Sequence, residues 1–111
     1  RLYSLMPHMH LLGRKMKATW IKPDGTEALL INVDDWDFNW QFVYHFEQPL
    51  DLPRGSKLRI EAEFDNSAEN PNNPNDPPVT VRWGEATTDE MMRMVAAVSF
   101  KGRRGSLGID F

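Results

Sequence analysis

Apolar and polar residues alternate with a period of two along most of this chain, the signature of strands with one buried face. Residues 15–22 (KMKATWIK) alternate, Pro23-Asp24-Gly25-Thr26 supplies a turn, and residues 27–33 (EALLINV) follow, so the two segments predict a β-hairpin. Residues 38–46 (FNWQFVYHF) place Phe38, Trp40, Phe42, Tyr44 and Phe46 on one face and Asn39, Gln41, Val43 and His45 on the other, predicting a strand with an aromatic wall. Pro53-Arg54-Gly55-Ser56 predicts a second turn, and residues 57–64 (KLRIEAEF) another alternating strand. Residues 65–78 are too rich in Asn and Pro to form a ladder and read as a long loop. Residues 79–83 (VTVRW) resume as a strand. Residues 87–100 admit two readings: Met92, Met94, Ala96, Val98 and Phe100 fit a strand face, while the helix-forming residues after a capping Thr88 fit a helix. In an otherwise all-strand chain, the strand is the expectation. The glycine-rich tail, 101–111, reads as loose or as a short edge strand. Many short strands with Pro/Gly turns and no internal repeat predict an all-β fold, an antiparallel jelly-roll β-sandwich in a single domain spanning 1–111.

Composition narrows the function classes. The 111 residues are 41% apolar, enough for a core, and the net charge of −3 lacks the basic excess that nucleic-acid binding calls for. No apolar run reaches the roughly 20 residues of a membrane span. The absence of cysteine excludes a thiolate zinc or iron–sulfur site and removes any disulfide argument about compartment. The chain opens on Arg1 rather than Met, which reads as a segment of a longer chain, so the lack of a signal peptide carries no weight.

The candidate chemistry lies in residues 7–16, PHMHLLGRKM. On an extended strand, His8 and His10 point to one face. Two converging imidazoles are half of a transition-metal site, and a thioether partner favours copper. With six methionines and no cysteine, a soft third ligand would have to be Met. The residues alone do not select which: Met6 shares the face of the histidines, and Met16, Met91 and Met92 are further candidates. Taken alone, an HxH pair also fits a solvated strand face, and methionine is more often core filler than ligand.

Three elements in order, HMHLLGRKM, WDFNWQF and TTDEM, give the chain its resemblance to a known family. Over residues 6–100 it resembles the C-terminal catalytic domain of the copper type II, ascorbate-dependent monooxygenases, which include peptidylglycine α-hydroxylating monooxygenase and dopamine β-monooxygenase. The resemblance implies a jelly roll and one copper ion held by His8, His10 and Met91. It also implies a position left open for dioxygen, and hydroxylation of a small organic substrate at a C–H bond. It implies a preceding domain that delivers electrons from a three-His copper or another redox centre, with ascorbate or a similar reductant upstream. Here only His45 remains beyond the pair, so the 111 residues are not expected to turn over alone.

Departures from the family pattern bear on substrate. A disulfide-bonded Cys typically follows the family's Met ligand; here Met92 does. Peptide-amidating members hold a substrate carboxylate with an Arg, an Asn and a Tyr, at positions occupied here by Met6, Arg93 and Val95. A glycine-extended peptide is therefore not the expected substrate. By the same resemblance the setting is periplasmic or extracellular. Two other readings stand beside catalysis: a copper-binding or copper-transfer module, and an interaction module whose metal site has decayed. Asp34, Asp35 and Asp37 lack the Gly and distal Glu of a calcium loop. His45, Asp89 and Glu90 read as surface groups, and Trp20, Trp36, Trp40 and Trp83 as core or core-edge residues.

Overall fold

The computed structural model describes residues 1–101 and the backbone of 106–110. Seven strands form: β1 (Leu2–Met9), β2 (Gly13–Ile21), β3 (Glu27–Val33), β4 (Tyr44–Leu50), β5 (Lys57–Phe64), β6 (Met92–Ser99) and β7 (Ser106–Asp110). They make two antiparallel sheets, one ordered β4-β1-β6-β7 and the other β3-β2-β5.

Alternation decides which face of each strand is buried. On β1, Leu5, Pro7 and Met9 are fully buried, while Met6 and His8 between them are half-buried. The cross-strand pairs Leu5↔Ala96 and Pro7↔Met94 carry this inner face onto β6, while Met92, paired with Met9, is exposed. Leu2, Leu5, Met9, Met94 and Ala96 of the first sheet pack with Met16, Ala18 and Ile31 of the second, and Trp36 joins them from the loop after β3. Each large side chain so buried contributes about 1.5–3 kcal/mol.

The segments at 15–22, 27–33 and 57–64 fold as strands, and 65–78 is a loop. The hairpin turn is built as expected: Gly25 takes φ 86°, and Asp24 Oδ1 accepts the Thr26 N–H at 2.9 Å. Of 87–100, the strand reading holds from Met92 to Ser99. In the tail, β7 is an edge strand on β6; 102–105 and 111 lie outside the described residues.

Two strand expectations fail. Residues 38–43 are not a strand; the ladder begins at Tyr44. Local hydrogen bonds claim the backbone instead: Asp37 Oδ1 accepts the Asn39 N–H at 2.8 Å, and the Asp37 carbonyl accepts the Trp40 N–H at 3.0 Å. The aromatic wall therefore does not form, and Trp40 and Phe42 meet edge to face at 5.0 Å on the surface. Residues 79–83 contribute only an isolated parallel bridge, Trp83↔Glu90. Trp40 at 68% and Trp83 at 65% exposure are consequently not core residues, whereas Trp36 is buried and Trp20 half-buried.

Candidate metal site

His8 is the penultimate residue of β1, and His10 lies one residue past its end. The chain then turns sharply: the His10 carbonyl accepts the Gly13 N–H at 3.0 Å, and β2 starts in the other sheet. A Cβ on Gly13 would stand 2.7 Å from the Met9 Cβ, so glycine is what lets the turn close against β1. The two rings come together with centroids 5.2 Å apart and planes at 87°. His10 is buried, and the Phe38 ring meets it edge-on at 6.4 Å.

Each ring is held through Nδ1. The His10 Nδ1 lies 3.1 Å from the Asp89 carbonyl, which can only accept, so Nδ1 carries the proton. The His8 Nδ1 lies 2.6 Å from the Gln41 Oε1. The Gln41 Nε2 donates at 2.7 Å to the Phe38 carbonyl, which fixes the amide with its oxygen toward His8. His8 Nδ1 therefore also donates. In both neutral rings the Nε2 lone pair is left for a metal, the arrangement that metal-ligating histidines commonly show.

Register places the methionines. β1 and β6 pair His8 with Arg93 and Met9 with Met92, where the ladder ends; His10 and Met91 each lie one residue beyond it. Met92 is exposed although it pairs with the fully buried Met9, whereas Met91, just before β6, is buried. Met91 is only 2% exposed yet is not among the residues of the central core cluster. Met6 is half-buried on the His8 side opposite Val95, and Met16 is a core residue of β2.

The segment before Met91 is a compact clasp. The Glu90 N–H reaches the Arg82 carbonyl, the Gly84 N–H reaches the Glu90 carbonyl, and the Asp89 carboxylate accepts the Ala86 N–H at 3.2 Å. A Cβ on Gly84 would collide with that carboxylate. The Asp89 side chain thus secures the turn, while its backbone carbonyl holds His10. The Leu11 N–H to the Thr87 carbonyl, at 3.4 Å, ties the clasp to the HxH turn.

Among the described residues, no group of three or more His, Cys, Asp or Glu side chains converges. No carboxylate or third imidazole among the described residues thus joins His8 and His10 in such a group. His45 is exposed on β4, and Asp34 and Asp37 serve local turns, away from this chemistry. Sequence reasoning gave Gln41 no role beyond its place in the motif. Its signal lay in position: residue 41 lies three residues before the Tyr44 end of the β1–β4 ladder, as His8 lies three residues past its Leu5 partner.

No solved structure significantly matches the chain. The family model described as the copper type II ascorbate-dependent monooxygenase, C-terminal domain, matches residues 1–94, a stretch that includes both histidines, Gln41, the clasp and Met91. The chain belongs to that family.

Proposed function

We propose that His8, His10 and Met91 hold one copper ion and that the domain is the oxygen-activating half of a copper-dependent monooxygenase acting on an organic C–H bond. The observation that supports this most is the anchoring of both imidazoles through Nδ1, with a buried methionine one residue beyond the end of the β1–β6 ladder. A bound copper supplies the one-electron and dioxygen chemistry that protein side chains lack. The chain's own residues orient the two nitrogen donors, add a soft sulfur that favours Cu(I), and shield His10 behind Phe38.

Electrons come, in this reading, from a second copper or redox domain in a longer chain, with ascorbate or a similar reductant upstream. The substrate is a small organic molecule other than a glycine-extended peptide. Beside His8, the pair Met6↔Val95 puts apolar side chains at two of the three positions of the family's carboxylate clamp, with Arg93 at the third. The setting we propose is periplasmic or extracellular, and the topology a jelly roll. The latter draws support from four sheet changes along the chain, at β1–β2, β3–β4, β4–β5 and β5–β6.

Anaerobic Cu(I) titration with X-ray absorption tests the ligand set. Wild type is expected to take one equivalent with a Cu–S scatterer, His8→Ala to lose tight binding, and Met91→Ala to bind more weakly without the sulfur signal. Sulfur persisting in Met91→Ala would move the assignment to another methionine, Met6 first. A wild type that binds no Cu(I) would leave only the decayed interaction module, and binding without turnover beside the electron-donor domain would favour the copper-transfer module.

A further inference from the structure

We infer that Gln41 is the positioning residue of His8: its side-chain amide holds the imidazole in the form that offers Nε2 to the metal. The inference rests on the reading of His8 as a copper ligand. The two histidines are secured by different means. His10 leans on a backbone carbonyl, which no substitution deletes. His8 depends on one side chain, at 2.6 Å.

That side chain cannot turn over. Its Nε2 sits 2.7 Å from the Phe38 carbonyl, and a flipped amide would set two carbonyl oxygens against each other. The loop beneath it is pinned by the Asp37 carboxylate and carbonyl, which accept the Asn39 and Trp40 N–H groups. The amide is therefore a one-way relay, from the Phe38 carbonyl through Gln41 to the His8 Nδ1 proton. A neutral imidazole left to water favours the proton on Nε2, the atom a metal needs bare. Which nitrogen is protonated follows from the hydrogen bond made by the other. Among the described residues, Gln41 is the hydrogen-bond partner shown for His8 Nδ1, and removing it leaves that proton unsupported.

The direct test is ¹⁵N–¹H correlation NMR of the metal-free chain with neutral rings. In wild type, His8 and His10 are both expected as the Nδ1–H form. In Gln41→Ala, His8 is expected to shift toward Nε2–H while His10 stays unchanged as an internal control. In Gln41→Glu, whose carboxylate can still accept the Nδ1 proton but forfeits the bond to the Phe38 carbonyl, His8 is expected to keep more of the Nδ1–H form than in Gln41→Ala. Chelator competition for Cu(I) is expected to show roughly tenfold to hundredfold weaker binding in Gln41→Ala. An unchanged His8 tautomer in Gln41→Ala, or unchanged Cu(I) affinity, overturns the inference. A wild type that takes up no copper while the tautomer still responds to Gln41 would instead remove the copper reading and leave the hold on His8 standing.

Discussion

Gly13 shows how a single hydrogen in place of a side chain can set a site. Its φ is not positive, so the glycine is not there for a left-handed turn. It is there because Met9 occupies the space: a Cβ would meet the Met9 Cβ at 2.7 Å and its Sδ at 2.9 Å. The thioether could swing aside, but the Cβ is fixed to the β1 backbone. Gly13→Ala is therefore expected to destabilise the domain by about 1–3 kcal/mol, read as a lower urea midpoint with an unchanged slope. At this scale the sequence was partly legible. The spacing of His8 and His10 announced a shared face because strand parity is local. What Gly13 and Gln41 do was hidden, since both act on residues brought near by the turn or by a long-range pairing.

Among the elements, the segments that were read correctly are those where alternation met no competitor, as in residues 27–33 and 57–64. Residues 38–43 alternate just as cleanly, but Asp37 captures the backbone N–H groups of Asn39 and Trp40, and Gln41 is drawn to His8 rather than left in a ladder. Alternation therefore names a strand only where side chains do not bid for the main chain. The clasp of residues 82–90 adds to the point, since its short parallel bridge is reinforced by the Asp89 carboxylate at the Ala86 N–H. In Asp89→Ala, the Ala86 amide is expected to exchange faster with solvent while the β6 amides keep their protection. Cu(I) affinity should fall less than in Met91→Ala, because the His10 partner is main chain. Equal protection at Ala86 would show that the carboxylate is dispensable to the clasp.

Across the whole molecule, the metal-site candidate and the most charged surface lie on different sheets. The outer face of β3-β2-β5 bears a cavity of about 620 Å³ whose rim pairs Lys15 with Glu63, Lys17 with Glu61, and Arg59 with Glu27. These exposed pairs are screened by solvent and are weak anchors of the fold. Hydrogen bonds from Thr26 hold the Asp24 carboxyl below its usual range, those from Ser67 do so for Asp65, and the Arg59 guanidinium does so for Glu27. A lowered carboxyl adds stability that is complete above the unfolded-state value and drains away as pH falls through the folded one. Thermal midpoints are accordingly expected to be level near neutrality and to decline below about pH 4, with a shallower decline in Asp65→Asn. A midpoint insensitive to acid would show that these contacts are absent in solution.

The two nitrogen donors are steadied by residues 33 and 79 positions away along the chain. No short peptide cut from this protein carries that scaffolding, and a denatured chain offers a cation little more than a bare dipeptide-spaced chelate. Under the proposed ligand set, tight copper uptake is a privilege of the folded state, and a seated ion would act as a keystone that rewards the completed architecture over every partly built one.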